Sequence, residues 1–140
     1  MIHFVTQNVD MPQLEVRSTE HWIRAVAADY GFALGEVTYI LCDDERILEV
    51  NRQFLDHDYY TDVITFDYST NGTLSGDIYI SLDTVRTNAE QFGKGEDAFI
   101  QELHRILIHG ILHLTGQADK TPETRAEMTR KEDLALAKLG

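Results

Sequence analysis

The sequence predicts an α+β domain, a four-stranded mixed sheet with about five helices. Three observations lead there. Runs rich in β-branched and aromatic residues occur at 2–7, 36–43, 61–68 and 75–81, and segments of helical periodicity lie around them. Asn71-Gly72 joins the last two runs directly, so a β-hairpin sits mid-chain where a doubly wound sheet would need a helix. The length of 140 residues suits one domain, 1–140, around one core.

In chain order, "IHFVTQ" is the first strand, and Ser18 or Thr19 is positioned to cap a helix through "EHWIRAVAADYG" to Gly31. "EVTYILCD" is the second strand. It leads into the helix "DDERILEVNRQF", whose first-turn acids complement the helix dipole. "TDVITFDY" and "SGDIYIS" form the hairpin, and a helix over about 82–92 ends in "FGKG". "EDAFIQELHRILIHGILHLTG" is apolar nearly all round from Ile106 to Leu114, apart from its histidines and Gly110, which makes it the central helix. Thr121 as cap, Pro122 at the first helical position and Glu123 close behind open a final helix.

Composition narrows the function. Hydrophobic residues at 43% with only two prolines describe a compact globular chain without a long disordered segment. The single cysteine, Cys42, has no disulfide partner and reads as a core thiol in a reducing compartment. No basic leader and no run of ~18 apolar residues is visible, so a cytoplasmic protein without membrane association is expected. A net charge of −12 argues against broad affinity for nucleic acid, which needs clustered lysine and arginine. Acids concentrate at 43–67 (Asp43, Asp44, Glu45, Glu49, Asp56, Asp58, Asp62, Asp67), whereas Lys120, Arg125, Arg130 and Lys131 make the C-terminal stretch locally basic.

The chemistry lies in "HGILHLTGQAD", residues 109–119. Histidines at i and i+4 are about 40° apart around a helix, so His109 and His113 project from one face and can share an ion. Glu102 and Arg105 extend that face as a polar stripe, while His104 points elsewhere and reads as a surface histidine. Gly116 suits a left-handed helix end, and the turn it permits can bring Asp119 over the imidazoles. Three protein ligands with an open fourth position are the catalytic kind of zinc site. The same residues also read as hydrogen-bonded core histidines, a helix stop and a helix cap; their joint spacing favours the metal. That spacing is the one found in metzincin proteases, with aspartate as last ligand and Gly110 in place of the glutamate that serves as general base.

On these residues the chain resembles the YbeY family of bacterial rRNA maturation factors, regarded as metal-dependent endoribonucleases that act in small-subunit ribosome maturation. The family signature HGxLHLxGYDH lies on His109 to Asp119, "VNRQFLDHDYYTDVITF" is similar to the family's N-x-x-[YF]-R-x-x-D-x-x-T-[DN]-V-L-S-F stretch, and "GDIYIS" matches its G-D-I strand. Two positions depart from the pattern. The family's third histidine falls on Asp119, which makes the site harder and one charge more negative, and an arginine suited to RNA phosphate falls on Leu55. Arg52 and Arg105 are the candidate replacements as RNA contacts; each also reads as an ordinary ion-pair residue. Thr61, Asp62 and Asp77 match family positions too, with ordinary turn and cap roles.

The resemblance implies a metal-dependent single-strand endoribonuclease of rRNA processing. His109, His113 and Asp119 would hold Zn²⁺ or another divalent ion, one per chain, and no further catalytic residue is assigned. The partners implied are rRNA or the small ribosomal subunit. A noncatalytic assembly factor with a structural metal, docked on a basic ribosomal protein, is the alternative, and a metzincin-like metalloprotease a weaker one.

Overall fold

The computed structural model describes residues 1–55, 62–93, 95 and 97–139. The elements run β1 (Ile2–Gln7), α1 (Val16–Asp29), β2 (Ala33–Cys42), α2 (Asp44–Leu55), β3 (Val63–Asp67), β4 (Thr73–Ser81), α3 (Leu82–Phe92), α4 (Ala98–Leu114) and α5 (Pro122–Ala137). The strands form one mixed sheet in the order β1-β2-β4-β3, parallel except for the antiparallel β3–β4 pair. This is the predicted α+β architecture. Asp56, Asp58 and Thr61 lie outside the described residues, as does Lys94 of "FGKG".

Alternation along the central strands sorts side chains to two faces. Tyr39 and Leu41 of β2, with Ile78 and Ile80 of β4, join the large core that also holds Trp22 and Ile23 of α1 and Leu107 and Ile111 of α4. On the other face Cys42, Ile64, Phe66 and Tyr79 meet Ile47 and Val50 of α2. The Cys42 thiol is buried there, and desolvation first, then Asp43, pushes its pKa up to about 12, as a core thiol requires. Tyr39 ties the layers together: its ring stacks on Phe4 at 5.2 Å and its buried hydroxyl donates to the Leu107 carbonyl at 2.7 Å.

Two boundaries differ from the sequence reading. Helix α1 begins at Val16 with Glu15 as its cap, accepting from the Arg17 amide at 3.3 Å, because Thr19 is taken inside at 3% exposure and Ser18 lies within the helix. Strand β2 begins at Ala33 because its pairing with β4 continues past an irregularity between Leu34 and Val37. The hairpin forms as expected, with Asn71 (φ 51°) and Gly72 (φ 78°) both left-handed.

Helix α4 lies across the sheet at β4, and two glycines allow it. A Cβ on Gly110 would stand 2.9 Å from Cγ2 and 3.0 Å from Cδ1 of Ile78. One on Gly76 would strike the Phe66 carbonyl of β3 and crowd Leu114 of α4. Gly110 therefore faces the sheet, roughly a quarter-turn from the histidines. Gly110→Glu, which inserts the glutamate of the protease signature, is expected to cost about 3 kcal/mol or more, because it drives a carboxylate into an apolar contact. A thermal melt checks this, and a melting temperature within a few degrees of the parent would refute it.

Candidate metal centre

The last turns of α4 present His109 and His113 on one face, and the helix ends at Leu114 with Thr115 as cap. Gly116 follows at φ +100°, where a Cβ would have open space; the residue is needed for its backbone angle rather than for room. The turn buries Gln117 and returns Asp119 over the imidazoles. His109 Nε2 and His113 Nε2 are 3.0 Å apart, and Asp119 Oδ2 is 3.3 Å from each. Ligands bound about 2.0–2.1 Å from a tetrahedral ion stand roughly 3.3 Å from one another. The three atoms thus outline one face of such a tetrahedron, and among the described residues this is the group that could hold a metal ion.

The opposite edge of each imidazole is anchored. His113 Nδ1 donates to the Gln117 carbonyl at 3.0 Å, which fixes its proton there because a carbonyl only accepts. His109 Nδ1 meets Glu132 Oε2 of α5 at 2.5 Å. Both Nε2 lone pairs are thereby directed into the same space, an approach that a shared proton or cation must relieve. The donor chemistry fits a divalent ion. Side-chain exposure of 18% for His109, 26% for His113 and 32% for Asp119 leaves the cluster open on one side.

Glu132 belongs to a longer chain of contacts. Its Oε1 accepts from Arg105 at 2.7 Å, and Arg105 reaches Asp133 with its other terminal nitrogen at 2.6 Å. Burial opposes charge on His109, but the Glu132 hydrogen bond and the carboxylates of Glu132, Asp62 and Asp119 outweigh it and raise the pKa. For His113, burial and the neighbouring His109 prevail and lower it. Glu102, on the same stripe, is raised by burial and by Glu132 and Asp62, against the pull of Arg105.

Of the residues singled out beforehand, His109, His113 and Asp119 come together, with Arg105 held one contact away through Glu132. Arg52 is exposed in the last turn of α2, and Leu55 ends that helix at 40% exposure. His104 is not a surface histidine. It is half-buried, bonds the Ile100 carbonyl at 2.9 Å and meets Trp22 edge-on at 5.6 Å, because that side of α4 faces α1. Glu132 and Gln117 were not anticipated; no local spacing ties Glu132 to the histidines, and Gln117 acts through its backbone.

A family model described as Endoribonuclease YbeY matches residues 2–140. The chain belongs to this family. An endoribonuclease YbeY of Bacteroides thetaiotaomicron is 58% identical over 97% of this chain and 97% of its own length. One of Porphyromonas gingivalis is 48% identical, covering 99% of this chain and 89% of that relative. The solution structure of TM1509 from Thermotoga maritima matches with a TM-score of 0.64 at 26% identity, over 97% of this chain and 87% of that one. The segment from His109 to Asp119 and the G-D-I strand beneath α4 both fall within the residues matched to the YbeY family.

An ion entering the cluster must displace any proton held on the His109–His113 pair. With His109 favouring the protonated form, zinc affinity of the metal-free protein is expected to fall as pH drops through that raised value, by about tenfold per unit where one proton is released. Chelator competition at a series of pH values measures this, and a flat profile between about pH 5.5 and 8 would contradict it.

Proposed function

We propose that the protein is a metal-dependent endoribonuclease acting on single-stranded RNA in rRNA processing and small ribosomal subunit maturation, from one hydrolase domain spanning 1–140. The observation that carries this is the triangle of His109, His113 and Asp119 donor atoms at 3.0–3.3 Å. These residues are the proposed ligands of Zn²⁺ or another divalent ion, one per chain. Two imidazoles and a carboxylate suit zinc and also harder ions such as Fe²⁺ or Mn²⁺. Bound there, the ion supplies the Lewis acidity that phosphodiester hydrolysis requires.

The chain's own residues do the remainder. Gln117 holds the His113 ring in one tautomer. Gly116 lets Asp119 fold back as the third donor. Arg105 and Arg52 are the proposed RNA contacts in place of the arginine absent at Leu55; the Arg105 side chain is 32% exposed beside the site. It can meet a phosphate as a further anion, although two carboxylates already engage it.

Peptide hydrolysis is disfavoured because position 110 faces Ile78 and cannot carry a base toward the ligands. A purely structural metal is disfavoured because, among the described residues, the cluster offers three ligands rather than a closed set of four. In the ribosomal setting, a net charge of −12 suits docking beside a basic ribosomal protein, with RNA engaged locally. The expected compartment is the cytoplasm; no described helix is long and apolar enough to cross a membrane.

The test is cleavage of a small-subunit rRNA fragment by metal-loaded protein beside His113→Ala prepared identically. The variant is expected to lose at least about a hundredfold in rate. Equal cutting by both, or by neither, would overturn the reading. The chemistry of the new RNA ends then separates direct hydrolysis from attack by the 2′-hydroxyl.

A further inference from the structure

Among the described residues, Glu132 is the acid that is buried, and the proposed chemistry does not use it directly. It is 6% exposed, projects from α5 toward α4, and has both carboxylate oxygens engaged: Oε2 with His109 Nδ1 at 2.5 Å and Oε1 with Arg105 at 2.7 Å. A buried carboxylate is costly unless paired and hydrogen-bonded, and here both conditions are met by residues of the neighbouring helix. Arg105 is fixed in turn by Asp133, one residue further along α5. The result is a clamp in which α5 grips α4 at positions 105 and 109 through adjacent acids.

We propose that Glu132 is a positioning residue of the metal centre, holding the His109 ring so that Nε2 points at the ion site, with Arg105 and Asp133 keeping the carboxylate in place. The proposal rests on the reading of His109, His113 and Asp119 as metal ligands. His113 needs no such partner, because the Gln117 carbonyl that orients it belongs to the same turn. His109 lies earlier in α4, and among the described residues the acceptor on its Nδ1 comes from α5. Docking of the last helix and competence of the metal site are therefore one event. A carboxylate on the far nitrogen of a ligating histidine also makes the near nitrogen a stronger donor.

The substitutions Glu132→Gln and Glu132→Ala separate the parts of this role. Glutamine has one acceptor oxygen and an amide donor, so it can accept from His109 or from Arg105 but not from both. Alanine removes both bonds. Zinc affinity is measured by chelator competition, Co²⁺ is used as a visible-absorption probe of ligand geometry, and the metal-free proteins are melted alongside. Asp133→Asn tests the outer contact of the clamp, where asparagine keeps one acceptor oxygen for Arg105.

Glu132→Ala is expected to weaken zinc binding by about 10–100-fold and to alter the Co²⁺ spectrum; Glu132→Gln should fall between it and the parent, and Asp133→Asn nearer the parent. If Glu132→Ala fails to fold, the near-isosteric Glu132→Gln carries the test alone. Lower melting temperatures with zinc affinity and Co²⁺ spectrum unchanged would make Glu132 a merely structural contact and overturn the proposal. So would absence of metal binding by the parent. A parent that binds metal tightly yet cuts no RNA would defeat the nuclease reading while leaving this one intact.

Discussion

The arrangement depends on one helix being pressed against a sheet on one side while carrying polar ligands on another. Helix α4 buries Leu103, Leu107, Ile108, Ile111 and Leu112 completely, so its rotation about its own axis is set by apolar contacts on most of its circumference. The Gly110–Ile78 contact adds a steric stop at the sheet. With the rotation fixed, His109 and His113 have one direction left, toward α5 and the turn after Leu114. The convergence of the three candidate ligands is a by-product of that orientation as much as of the residues themselves.

Charge is distributed unusually for a centre that would meet RNA. Asp62, Asp119, Glu132 and Asp133 bear on the histidines or on Arg105, which is the cation paired among them. Asp119 adds a further negative charge to the cluster, and Leu55 at the end of α2 is uncharged. A divalent ion is the strongest available counterweight, so recruitment of a polyanion would depend on the ion more than in a site with three neutral ligands. The locally basic stretch of Lys120 and Arg125 follows Asp119 directly and offsets part of this negative charge.

What could be read beforehand was local. His109, His113, Gly116 and Asp119 are related by offsets of a few residues, and helix geometry alone converts those offsets into a shared direction. The hairpin at Asn71-Gly72 and the Thr121-Pro122 helix start were equally visible, because each depends on backbone preferences of adjacent residues. Glu132 was hidden for the opposite reason. It is 23 residues from His109, and its place on the Met128–Ala135 face of α5 gives its inward direction without giving the residue it meets. The misplaced cap at Ser18 or Thr19 has the same root: side-chain preference pointed there, and burial of Thr19 overruled it. Strand order and the early start of β2 are long-range pairing facts that no window of sequence contains.

All three candidate ligands come from 109–119, one helix end and the turn that leaves it. An ion held there closes only very short loops, so it removes little freedom from the unfolded chain and adds little of the cross-linking stabilisation that a distant set of ligands would supply. The burial that holds the domain together is in place without it. Occupancy of such a site would be a property of the folded protein in exchange with its surroundings, and the divalent ion it takes would depend on supply as well as on the ligands.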